Sequence, residues 1–164
     1  MPDRTIAPRN PLKTHLAQGK CQTGIWLTSA SPLVAELAGS IEFDWWLIGA
    51  EHWPNDLSAI RSQLQALAVS GTPAVVRVPV GEDWVIKQIL DLGAQTILVP
   101  LIDTPEQALA AARACRYPPD GNRGMGAALA RATNFNQRTD YVATTNHQVY
   151  CIVQVETLLA LDNL

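Results

Sequence analysis

Charge is scarce in this chain: Asp, Glu, Lys and Arg make up 16% of its 164 residues, and the net charge is −3. Lys and Arg are scattered and form no block of one sign, so nothing marks a nucleic-acid or acidic-lipid surface. No apolar run approaches the roughly 20 residues of a membrane span. The opening Met1-Pro-Asp-Arg-Thr5 lacks the apolar stretch of a signal peptide. Cysteine is sparse and odd in number. Cys21, Cys115 and Cys151 stand far apart with no C-x-x-C pair, which excludes a disulfide framework and a zinc knuckle; all three read as small core residues. No G-x-S-x-G occurs, so an esterase elbow has no support. Gly124-Met-Gly126 lacks the third glycine of a dinucleotide fingerprint and follows Pro118-Pro119 instead of a strand. The expectation is a cytoplasmic protein that binds neither nucleic acid nor membrane.

Apolar residues are plentiful, at 48%, and 164 residues suffice for one domain with a sizeable core. Residues 13–18 read as a short helix stopped by Gly19, and residues 23–28 as a buried strand. Ser31-Pro32 opens a helix as N-cap and N1, with Gly39 as its stop. Residues 43–48 form an apolar strand of the doubly covered type. Asn55 or Asp56 then caps a helix with the stripe Leu57, Ile60, Leu64 and Leu67, ending at Gly71. A strand at 73–77, a helix at 83–92 and a strand at 96–100 follow. Thr104-Pro105-Glu106-Gln107 is a capping box with Pro at N1, opening an alanine-rich helix to about Tyr117. A loop at 118–124 leads to a mixed stretch at 125–145, and residues 149–156 form a fifth strand.

Strands alternating with helices imply a parallel sheet with right-handed crossovers. Periodicity leaves two architectures, an open doubly wound sheet or part of a (β/α)₈ barrel. Five strands in this length favour the open sheet.

Reactive side chains gather where strands finish. Glu51 and His52 follow the second strand, Arg77 closes the third, and Gln154 and Glu156 close the fifth. In any parallel sheet those positions share one rim, and a carboxylate, an imidazole and a guanidinium together are the parts of a small-molecule site. Arg suits a carboxylate ligand, and Glu with a second oxygen donor suits a hard cation. Each residue also has a plainer reading. His52 can bond loop backbone, Glu51 can cap the next helix or pair with a base, and Arg77 can form a structural ion pair. Glu156 at a buried strand end needs a metal or a cation to offset its burial. The five tryptophans read as packing, and His15 and His147 as solvated.

The ordered segments Thr23-Gly-Ile-Trp-Leu-Thr28, Phe43-Asp-Trp-Trp-Leu-Ile48 with Glu51-His52, and Ala74-Val-Val-Arg77 resemble the HpcH/HpaI family of metal-dependent pyruvate aldolases. So do Thr96-Ile-Leu-Val-Pro100, Arg123-Gly-Met-Gly126 and Val153-Gln-Val-Glu-Thr157. The resemblance covers nearly the whole chain and implies an α/β fold, an incomplete (β/α)₈ TIM barrel with about five strands, in place of the open sheet. It implies a class II aldolase that cleaves 4-hydroxy-2-oxo acids to pyruvate and an aldehyde, and a homo-oligomer. It implies a divalent metal (Mg²⁺, Mn²⁺ or Co²⁺) held by Glu156, with Gln154 lining the metal site and Arg77 holding the pyruvate unit. His52 matches the family's catalytic His, which activates a water or hydroxide to move the aldol proton. Asp91 matches the Asp that partners that His, although here it ends a helix on the side away from the rim.

Two departures stand out. The family's Asp-Gly-Glu-His is Gly49-Ala50-Glu51-His52 here, which removes one carboxylate and puts Ala where Gly gives freedom for a positive φ. The second metal ligand and strands six to eight have no counterpart after Glu156. Residues 1–164 therefore read as a single partial barrel domain, expected to be unstable or associating when alone, and a catalytically inactive truncated paralogue or fragment is the alternative reading.

Overall fold

The computed structural model describes residues 4–164. Five strands make one sheet: β1 (Gly24–Leu27), β2 (Trp45–Gly49), β3 (Ala74–Arg77), β4 (Thr96–Val99) and β5 (Tyr150–Val153). Every pairing is parallel, and the spatial order is β1-β2-β3-β4-β5. A doubly wound sheet reverses its strand order at a switch point. This sheet never does, so the open-sheet expectation is overturned and the architecture is an arc of a barrel.

The helices are α1 (Pro11–Ala17), α2 (Pro32–Gly39), α3 (Leu57–Ser70), α4 (Asp83–Asp91), α5 (Pro105–Ala114), α6 (Tyr141–Thr145) and α7 (Leu158–Asp162). Ser31, Asp56 and Thr104 cap α2, α3 and α5, each accepting from a backbone N–H three residues on. Gly71 ends α3 in the left-handed conformation. No helix among the described residues is long and apolar enough to cross a membrane.

Side-chain parity divides the sheet into two faces. Leu27, Trp46, Ile48, Val76, Ile97 and Val99 point outward into the main core, against Ala35, Ile60, Leu64, Leu67, Ile86, Ile89 and Ala111 of the covering helices. Residues of the opposite parity form the concave face, where Leu47, Val75 and Leu98 pack with Leu12 of α1. Gly24 lies on that face because Trp45 crosses it: a Cβ there would stand 2.0 Å from the indole. The first helix closes the base of the arc. Asn10 Nδ2 donates to Thr96 Oγ1 and to Gln148 O, each at 3.0 Å, and Lys13 Nζ donates to His147 O at 2.7 Å. Cys115 is buried as expected, whereas Cys21 is exposed and belongs to no core.

Candidate active site

Register brings the strand-end residues together. Gly49 pairs with Arg77, and Arg77 with Leu98, so all three lie in one row of the concave face. Two residues farther along β2 comes Glu51, and two beyond Ile152 comes Gln154, both of concave parity. The ladder continues past the strands: Ala50 N donates to Arg77 O, Gln154 N to Val99 O, and Ile102 N to Gln154 O. Backbone pairing thus fixes the floor of the rim.

Arg77 is the anchor. Its Nη1 lies 2.9 Å from Glu51 Oε2, both side chains being largely buried, and its guanidinium stacks on the Trp26 indole, 4.6 Å from the ring centre. The other oxygen of Glu51, Oε1, faces His52 Nε2 at 3.7 Å. One carboxylate therefore bridges a buried guanidinium and an imidazole whose side chain is 69% exposed. The loop carrying that imidazole is pinned from below. Asn55 Nδ2 donates to Gly49 O at 2.7 Å and Asn55 Oδ1 accepts from Gln63 Nε2 at 2.7 Å, with both residues buried. Ala50 is not among the residues with positive φ, so Ala in place of Gly costs no backbone strain. A Cβ at Gly49 would meet Trp53 at 3.4 Å and Trp26 at 3.7 Å; the two indoles flank the place where the resemblance expects a carboxylate.

The acidic side of the rim differs from expectation. Glu156 is exposed, so the burial argument for a cation does not hold for it. Its Oε2 accepts from Leu101 N at 3.0 Å, and Leu101 turns that N–H toward it from a left-handed φ of 53°. Beside it, Thr157 Oγ1 donates to Asp103 Oδ1. Gln154 Oε1 is buried with no hydrogen-bond partner among the described residues, and Arg77 Nε likewise. The orphaned amide oxygen of Gln154 and the carboxylate of Glu156 are donors of the hard-oxygen kind that a divalent cation takes. They are two of the roughly six such an ion needs, and no group of three His, Cys, Asp or Glu residues suited to a metal occurs among the described residues.

Asp91 is elsewhere. It ends α4, at the end of the sheet away from His52, and its Oδ1 pairs with Arg123 Nη2 at 2.6 Å. Arg123 in turn stacks on Tyr117, 4.5 Å from the ring centre. Within one chain Glu51 joins His52 and Arg77, register sets Gln154 and Glu156 on the same rim, and Asp91 is not brought to them. Sequence reasoning missed Trp26, since an inward aromatic in a short strand reads as core. The signal was its register, opposite Leu47 and one row below Gly49.

The HpcH/HpaI aldolase/citrate lyase family model matches residues 22–164. The chain is 50% identical over 158 residues to a hydroxypyruvate/pyruvate aldolase of Roseobacter denitrificans, covering 96% of this chain and 62% of that protein. It is 45% identical over 155 residues to a 2-keto-3-deoxy-L-rhamnonate aldolase of Shigella sonnei, covering 94% and 58%. Among solved structures, an HpcH/HpaI aldolase/citrate lyase family protein from Burkholderia cenocepacia superposes with a TM-score of 0.90 at 42% identity, covering 94% of this chain and 62% of that one. The chain thus spans about three-fifths of the length of the relatives it matches.

Proposed function

The chain belongs to the HpcH/HpaI aldolase/citrate lyase family, and from that premise we propose that it is a carbon–carbon lyase, an aldolase acting on 4-hydroxy-2-oxo acids. The observation that carries the reading is the Arg77–Glu51–His52 chain on the concave rim. Arg77, already desolvated and stacked on Trp26, is suited to receive the carboxylate of a 2-oxo acid. Glu51 neutralises Arg77 when no substrate is bound and orients the imidazole. In the cleavage direction His52 takes the proton of the C4 hydroxyl, directly or through a water. The C3–C4 bond then breaks, its electron pair passing into the enolate of the 2-oxo acid while C4 leaves as the aldehyde. The proton returns to C3 and yields pyruvate.

The divalent cation implied by the family would find Glu156 and Gln154 as oxygen donors. When bound it supplies a Lewis acid for the keto and carboxylate oxygens. We further propose that residues 1–164 are one barrel domain acting as part of a homo-oligomer, and that Asp91 serves His52 only if it comes from a neighbouring subunit. The test is exchange of pyruvate methyl protons in D₂O, followed by NMR with added Mg²⁺, Mn²⁺ or Co²⁺. Exchange that depends on metal and falls about 10²–10⁴-fold in His52→Gln supports the reading. Exchange at the uncatalysed rate with every metal would sink it and favour the inactive paralogue.

A further inference from the structure

A cavity of about 490 Å³ opens at the N-terminal ends of the strands, the side away from the rim. Ala74 and Thr96, the first residues of β3 and β4, form part of its wall. Arg9, Arg131 and Arg138 line it with Phe135 and Tyr141, and among the described residues no Asp or Glu lines it. Two of the guanidiniums are held in place. Arg131 Nη1 donates to Leu92 O at 2.8 Å, and Arg138 Nη1 to Ala132 O at 2.7 Å. Gly93 makes room for the first, since a Cβ there would stand 2.6 Å from Arg131 Nη1. The ion pairs among the described residues are Glu51 with Arg77 and His52, and Asp91 with Arg123. Neither Arg131 nor Arg138 has a carboxylate partner among them.

Burial and the neighbouring Arg138 push Arg131 below the ordinary arginine range, so the two like charges oppose each other in a partly dry place. Gly71 and Gly93, just past the ends of α3 and α4, line the cavity, and the negative ends of two helix dipoles offset about one elementary charge in all. Three guanidiniums exceed that. Asn134 and Phe135 of the wall, with Asn136 after them, are consecutive left-handed residues with φ of 51°, 54° and 70°.

We propose that this cavity binds a small anion of at least two negative charges, a phosphorylated or polycarboxylate metabolite, with an apolar part packed on Phe135 and Tyr141. Its charge would sit between Arg131 and Arg138, away from the catalytic rim, so the site is regulatory or stabilising and not a subsite of the reaction.

Calorimetric titration of the whole native protein with inorganic pyrophosphate, with citrate and with acetate, in low salt without metal, tests this. Expected is saturable binding of pyrophosphate or citrate below about 1 mM, with acetate at least tenfold weaker and the affinity falling as salt rises. Tighter pyrophosphate points to a phosphorylated ligand, and tighter citrate to a polycarboxylate. The double variant Arg131→Gln/Arg138→Gln is expected to lose the binding. Because Arg131 also supports the end of α4, a second variant is needed. Ala68→Glu, at an exposed helical position lining the cavity, keeps every arginine and sets a carboxylate at the mouth; with its circular dichroism unchanged it should weaken binding at least tenfold. Binding that survives Ala68→Glu, or no saturation by either polyanion, overturns the proposal.

Discussion

His52 and Arg77 touch the same carboxylate from opposite sides of the solvent boundary, and their replacement should separate activity from stability. His52→Gln removes an exposed ring with one long contact, so the free energy of unfolding should stay within about 0.5 kcal/mol while proton exchange collapses. Arg77→Gln leaves Glu51 largely buried and unpaired, and a loss of about 3 kcal/mol is expected in a denaturant titration. Tyr117 offers a pH test. Burial pushes its phenol up to about 12 from an ordinary 10. Between those values the unfolded chain has lost a proton that the folded chain keeps, so stability falls as pH rises through this window. Tyr117→Phe should abolish that fall in alkaline melts. It should cost nothing at neutral pH, since the buried hydroxyl has no hydrogen-bond partner among the described residues. Strand-end position sufficed to read Glu51, His52, Arg77, Gln154 and Glu156 as neighbours. Asp91 was matched through the resemblance alone, and its pairing with Arg123 depends on a loop whose course no local pattern encodes.

At the scale of elements, short-range chemistry was legible and long-range order was not. Ser31-Pro32, Asp56 and the Thr104–Gln107 capping box announced helix starts that the structure contains. Strand order was invisible to periodicity, because an outward-and-inward apolar strand looks the same in a doubly wound sheet and in a barrel. The stretch 125–145 resisted reading for a local reason: left-handed residues at 134–136 break it into 3₁₀ turns and the short α6. Leu101, in the turn between β4 and α5, holds a left-handed conformation that costs a branched residue about 1–2 kcal/mol. Its side chain is more than half exposed, so little packing repays the strain. Leu101→Gly should therefore raise the free energy of unfolding in a denaturant titration, by about 0.5–1 kcal/mol after the added chain entropy of glycine, while Leu101→Ala should not.

Across the whole molecule, the five-strand sheet leaves β1 and β5 as edges. Apolar side chains also face outward on the elements near them. Leu33 and Leu37 of α2 are 73% and 66% exposed, and Leu158 of α7 is 80% exposed. The 164-residue chain on its own is expected to associate: its sedimentation coefficient should rise with concentration, and Leu33→Lys/Leu37→Lys should reduce that rise. A monomer with a concentration-independent, cooperative melt would contradict this. The sequential strand order has a kinetic consequence as well. Each strand pairs with the next in the chain, so contacts are comparatively local, a property of fast-folding topologies. The exception is the closure from Thr96 to Tyr150, which is roughly twice the other separations and carries about 0.6 kcal/mol more loop entropy per doubling. Docking of β5 should then come late in folding and be the first contact to open in the native state. In hydrogen exchange the amides of Cys151 to Gln154 should lose protection before those of β2 and β3, so the arginine half of the site outlives the acidic half.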